Sequence, residues 1–141
     1  MISNRRSFIT GIKGTKLNKK EVNFLKKYKP WGIILFSRNI KTISQTKKLT
    51  HQIKRIFKDK NYPILIDEEG GKVSRLNKFI DSTIFTADFF GNLYKKDKKK
   101  FNIYYNVYIK QISYLLNLLG INVNTVPVLD VRRKFTNNVI G

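Results

Sequence analysis

Three apolar runs separated by helical patterns restrict this chain more than any other feature. WGIILF at 31–36, PILID at 63–67 and INVNTVPVLDV at 121–131 each follow a segment of helical periodicity, and a shorter run, FITGI at 8–12, precedes them all. Residues 31–36 lie between Pro30 and the tripeptide Ser37-Arg38-Asn39 and show no alternation of apolar with polar side chains, as expected of a strand buried on both faces. The third run has the same character, and the fourth reads as a strand with its exit loop.

The segments between the runs carry helix signals. Asn18 followed three residues later by Glu21 has the spacing of a capping box, Val22, Leu25 and Phe24 supply the apolar stripe, and Pro30 is the expected stop. A second helix is expected from an N-cap at Ser44, with Leu49, Ile53, Ile56 and Phe57 on one face. Residues 72–92 look irregular apart from a short helical piece near TADFFGNL. The charged run KKDKKK at 95–100 leads into the longest helical pattern, where Tyr108, Ile112, Leu115 and Leu119 share a face and Gly120 is suited to end it in the left-handed conformation.

Strands that alternate with helices and are buried on both faces pair in parallel through right-handed crossovers. An α/β fold follows, either an open doubly wound sheet or the opening of a (β/α)₈ barrel. No GxGxxG follows the first strand and no P-loop is present, so both nucleotide-binding readings fall. With 141 residues, 41% of them hydrophobic, one domain with a core is expected.

Charge is the other conspicuous property. Twenty-nine basic residues against nine acidic ones give a formal charge of +20, which invites a phosphate-binding reading. The lysines, however, are scattered through every segment beside Asn and Ile, the pattern that a coding bias would leave on solvated helix faces. No nucleic-acid motif accompanies them, so no specific nucleic-acid partner is expected. There is no cysteine, hence no disulfide or thiolate metal site. No run approaches the ~18 apolar residues that would span a bilayer, and the N-terminal residues lack a signal-peptide apolar region. A cytoplasmic location with no membrane partner is expected.

Against that basic background, three of the nine acids stand together as Asp67-Glu68-Glu69, followed by Gly70 and Gly71. In parallel α/β folds functional groups gather at the carboxyl ends of strands, where Asp67 should emerge. A carboxylate there can accept hydrogen bonds from ligand hydroxyls, the glycines let the backbone turn closely, and Arg75 can return to the same mouth as a multi-donor partner. A solvated turn is the plainer alternative, and a magnesium site from Asp67 with Glu69 is a third. Arg38 and Asn39 are expected to close the second strand and cap neighbouring loops. Asp130, at the exit of the fourth strand, is a further candidate, either ordering a loop or belonging to a site. The single histidine, His51, falls away from the apolar stripe of its helix and offers no centre for histidine chemistry.

Taken in order, KKYKPWGIILFSRNI, LIDEEGGKVSRL, LGINVNTVPVLDV and a terminal VIG resemble the N-terminal half of the family-3 glycoside hydrolases, closest to the bacterial β-N-acetylglucosaminidases of peptidoglycan recycling. The resemblance implies a partial TIM (β/α)₈ barrel with roughly the first four strands and three crossover helices, residues 1–141 being the N-terminal portion of a single barrel domain. It implies that Asp67 binds hydroxyls of a terminal N-acetylglucosamine and that Arg75 also contacts substrate. Lys72 and Ser74 depart from the residues usual in that motif and receive no role. The acid/base histidine and the aspartate nucleophile of the family's retaining mechanism have no counterpart in these residues, so no catalytic residue is assigned and a truncated, inactive chain is expected. No cofactor or metal is implied. Expected partners are a carbohydrate bearing terminal N-acetylglucosamine and either a missing C-terminal half or a second copy joined through open barrel edges. The alternative is a basic non-catalytic module binding nucleic acid or another anionic polymer.

Overall fold

The computed structural model describes residues 4–129. The Asn18 side chain accepts the Glu21 amide at 2.9 Å and the Glu21 carboxylate accepts the Asn18 amide at 2.9 Å. This reciprocal pair satisfies two donors that the first helical turn leaves open and starts α1 (Lys19–Tyr28), which follows β1 (Arg6–Gly11). The helix ends at Lys29, held in the left-handed region at φ 45°. Pro30 is therefore not the helix stop itself but the first residue of β2 (Pro30–Leu35).

A short 3₁₀ turn at Ser37–Asn39 leads to α2 (Ile43–Phe57). Its N-cap is Thr42 rather than Ser44: the Thr42 hydroxyl accepts the Gln45 amide at 3.1 Å while the Gln45 side chain reaches back to the Lys41 amide at 2.9 Å. That second bond selects the earlier cap, because only Gln45 can close the turn from three positions downstream. β3 (Ile64–Ile66) follows. The crossover to β4 (Val123–Asn124) then holds two helices, α3 (Ala87–Lys96) and α4 (Lys98–Leu119), so the described residues contain four α-helices instead of the three expected. Asp97 makes the break. Its backbone is extended and its carboxylate accepts the Lys100 amide at 3.0 Å, so the charged run is a junction between two helices rather than a lead-in to one. Gly120 ends α4 at φ 77°, as its position in the sequence predicts.

All strands are parallel and lie in the order β1-β2-β3-β4. A doubly wound sheet reverses its strand order at a switch point, and no reversal occurs among the described residues. The sheet is a sector of a barrel wall. Ile33 and Leu35 pair with Ile64 and Ile66, and all four are buried in one cluster with Leu25, Leu49, Ile53, Ile112 and Leu119 from the helices. Burying each such side chain contributes roughly 1.5 to 3 kcal/mol. By strand alternation Ile34 and Leu65, the latter paired with Val123, point to the other face, towards the barrel interior.

The end of the sheet opposite the strand exits is closed by Tyr62. It stacks on Phe57 at 3.8 Å between centroids and donates its hydroxyl to the Pro30 carbonyl at 2.7 Å. No helix among the described residues is long and apolar enough to cross a membrane.

Candidate functional site

Each strand delivers a polar group where it leaves the sheet. At the end of β2, Asn39 is completely buried; it accepts the Phe36 amide at 2.9 Å and donates to the carbonyls of Ile12 and Gly14 at 3.1 and 2.9 Å. The Arg38 Nε also donates to Ile12 O, at 3.1 Å. Both residues fasten the exits of β1 and β2 together, as the sequence implies.

Asp67 emerges from β3 and stays half-buried. One carboxylate oxygen accepts the Thr125 hydroxyl at 2.5 Å, and the other lies 3.6 Å from Nη2 of Arg75. The return of Arg75 to the mouth is thus seen directly. Its guanidinium lies 5.7 Å from the Phe36 ring centroid, and the Arg38 guanidinium covers the same ring at 4.5 Å, contacts that steady both planar cations over an aromatic quadrupole. The Arg75 Nε is buried without a hydrogen-bond partner. An Asp carboxylate with free lone pairs beside a guanidinium with free donors can bind a ligand that both accepts and donates, as vicinal hydroxyls do.

The remaining acids separate sharply. Glu68, given little weight in the sequence, is buried, with both carboxylate oxygens accepting hydrogen bonds. Asn124 grips its main chain from β4, accepting the Glu68 amide at 3.0 Å and donating to the Glu68 carbonyl at 3.1 Å. Among the described residues no group of three or more His, Cys, Asp or Glu is placed to hold a metal, and the magnesium reading of Asp67 with Glu69 gains nothing. His51 is exposed on α2. Asp130 lies outside the described residues.

Behind the pair, a cavity of about 1000 Å³ runs between α3, α4 and the exit of β4; Arg75 and Asn124 line it with Phe90, Tyr105 and Tyr108, and Asp67 does not. Burial, reinforced by the nearby Glu68 carboxylate, pushes the Tyr108 phenol up to about 12. The glycines explain the tightness of the turn. Gly70 and Gly71 have φ of 83° and 57°, and a Cβ on Gly70 would lie 2.2 Å from the Phe85 carbonyl oxygen.

Sequence reasoning missed Thr125, Asn124 and Phe36. The signal for the first two was the polar alternation within INVNT at a strand end, where an apolar run alone would have sufficed for packing.

No protein-family model matches the chain. It is 34% identical over 122 residues to the β-hexosaminidase A of Pseudoalteromonas piscicida, covering 83% of this chain and 20% of that protein. It is 33% identical over 132 residues to the β-hexosaminidase of Haemophilus ducreyi, covering 89% of this chain and 36% of that one. Among solved structures, NagZ of Neisseria gonorrhoeae in complex with N-trifluoroacetyl-D-glucosamine superposes with a TM-score of 0.79 at 29% identity, over 90% of this chain and 38% of NagZ. The chain is a relative of the family-3 β-N-acetylhexosaminidases. A glycoside hydrolase family 3 β-N-acetylglucosaminidase from Paenibacillus also matches, at 27% identity and a TM-score of 0.62 over 88% of this chain and 23% of that one. The hexosaminidase relationship makes the four-stranded sheet the N-terminal part of a TIM barrel. The chain spans well under half the length of each of these relatives.

Proposed function

We propose that residues 1–141 are the N-terminal portion of a single family-3 barrel domain and carry part of the sugar site of a β-N-acetylhexosaminidase. In this reading Asp67 accepts hydrogen bonds from hydroxyls of a terminal N-acetylglucosamine, and Arg75 both holds the Asp67 carboxylate and donates to the sugar. Each charge-assisted bond of this kind is worth roughly 1.5 to 3 kcal/mol. The observation that carries the proposal is the Asp67–Arg75 pair at the carboxyl end of β3, 3.6 Å apart with both side chains about a quarter exposed.

The reaction served is retaining hydrolysis of terminal β-N-acetylglucosamine from cell-wall muropeptides or related glycosides, in the cytoplasm, as part of peptidoglycan recycling. The acid/base and nucleophile come from outside these 141 residues. The remaining barrel strands complete the wall along β1 and β4, and the chain by itself binds sugar without hydrolysing it.

The test is saturation-transfer NMR of N-acetylglucosamine with the 141-residue chain, run beside Asp67→Ala and a chromogenic N-acetylglucosaminide assay. Binding that survives 0.5 M salt, disappears in the variant and is accompanied by no chromophore release is expected. Equal signal from wild type and variant, or binding that collapses with salt as polyanion contacts do, refutes the proposal.

A further inference from the structure

Glu68 is the only charged residue buried among the described residues, 2% exposed where the other described acids all keep some contact with solvent. Removing a carboxylate from water is costly unless every lone-pair direction finds a donor. One oxygen accepts the main-chain amides of both Arg75 and Leu76, at 2.6 and 2.9 Å, and the other accepts the Ser82 hydroxyl at 3.1 Å. A solvated turn needs no such arrangement, and neither does hydrophobic packing.

The geometry points to Glu68 as the positioning residue for Arg75: consecutive carboxylates grip the two ends of one residue, Glu68 at the main chain and Asp67 at the guanidinium. From the amide held by Glu68, the Arg75 side chain extends along the Phe36 ring to within 3.6 Å of Asp67. The Glu68 main chain is itself fixed by Asn124 of β4. The segment from Gly70 to Ser82 is folded back on the same anchor, since Gly71 donates its amide to Ser82 O at 2.9 Å. Arg75 would otherwise swing on a segment that, apart from one isolated bridge between Gly70 and Val73, belongs to no sheet. Glu68 borders the cavity beside Arg75, but both of its carboxylate oxygens are spent on hydrogen bonds within the chain. The inference rests on the sugar-site reading for its purpose, though not for its geometry.

The chemistry makes a specific demand on substitutions. Glutamine preserves the arrangement, because its carbonyl oxygen can accept both amides and its NH₂ can donate to the Ser82 oxygen. Alanine abolishes it. Trypsin reads the outcome without reference to any sugar, since Lys72, Arg75 and Lys78 all lie in the anchored segment.

The experiment uses the 141-residue chain and its Glu68→Ala, Glu68→Gln, Ser82→Ala and Arg75→Ala variants. Helix content is checked by circular dichroism, cleavage after residues 72, 75 and 78 is timed by mass spectrometry, and N-acetylglucosamine binding is measured by NMR. Glu68→Ala is expected to be cut at least about tenfold faster in this segment, because cleavage follows the open population, and to lose as much sugar affinity as Arg75→Ala. Glu68→Gln should stay within about threefold of wild type in both readouts, and Ser82→Ala, which removes one bond of three, should fall between. Wild-type protection in Glu68→Ala overturns the inference; so does a Glu68→Gln variant as impaired as Glu68→Ala, which would assign the role to the charge instead. If wild type binds no sugar while the digestion follows the expected order, the hexosaminidase reading fails and the grip on Arg75 stands.

Discussion

Replacing Asn39 by alanine tests how the mouth of the barrel sector is held. The side chain makes three hydrogen bonds from a site with no solvent exposure, one to the Phe36 amide and two to the carbonyls of Ile12 and Gly14. Each is worth about 1 kcal/mol net, and each abandoned partner adds a desolvation cost unless water enters. A loss of roughly 3 to 4 kcal/mol is expected. For a chain of 141 residues, an unfolding entropy of about 2.1 cal/mol/K per residue converts this to a fall in Tm of roughly 10 °C. Urea and thermal unfolding followed at 222 nm measure both quantities. Asn39→Asp is expected to be worse than alanine, because a second carboxylate oxygen would face the Ile12 and Gly14 carbonyls that now receive the amide donors. A loss below about 0.5 kcal/mol in Asn39→Ala, or an Asn39→Asp protein as stable as wild type, would refute the assignment of Asn39 as the clasp between the first two strands.

Two further outcomes follow from the same physical reasoning. Gly70→Ala places a Cβ 2.2 Å from a backbone carbonyl oxygen at φ 83° and should cost at least about 2 kcal/mol, whereas Gly91→Ala, in α3 with nothing within 4 Å of the new Cβ, should gain roughly 0.5 to 1 kcal/mol; urea midpoints of the pair decide. Burial raises the phenol of Tyr62 and pushes that of Tyr108 up to about 12, so an absorbance titration at 295 nm taken to pH 11 should leave these two of the seven tyrosines un-ionised in the folded chain. Because both bind their protons more tightly folded than unfolded, the stability they confer is complete below pH ~10, the value for a free phenol, and is lost as pH rises from there through about 12 for Tyr108 and higher still for Tyr62.

The parts of the fold that were legible in the sequence are those fixed by local chemistry. Asn18 with Glu21 announces α1, Gly120 the end of α4, and the unbroken apolar runs the parallel strands, because a cap or a doubly buried strand admits few residue types. Thr42 was obscured by Ser44, two residues later and equally able to cap, and the choice fell to the Gln45 side chain, which reaches back only once the turn exists. The split between α3 and α4 was hidden because Asp97 sits among lysines, where a charge run masks a cap. In the site, Asp67 and Arg75 could be read from their place after β3. Glu68 could not, since a buried acceptor of backbone amides and a solvated turn acid look alike until the loop is closed. Strand order lay equally beyond the pattern, for a doubly wound sheet and a barrel share the same alternation, and only pairing between successive strands separates them.

That pairing has a consequence for biogenesis. Among the described residues β2, β3 and β4 each lie beside the strand made just before, so each meets on leaving the ribosome a partner already outside. Asn39 can clasp the β1 exit as soon as β2 has docked, and the carboxylate bonds of Glu68 need only the residues up to Ser82, while the hold of Asn124 on its main chain waits for β4. Thr125 reaches back to Asp67 last. The mouth is therefore built in the direction of synthesis, its earliest lock set while α4 is still unmade and its latch closed only when β4 arrives.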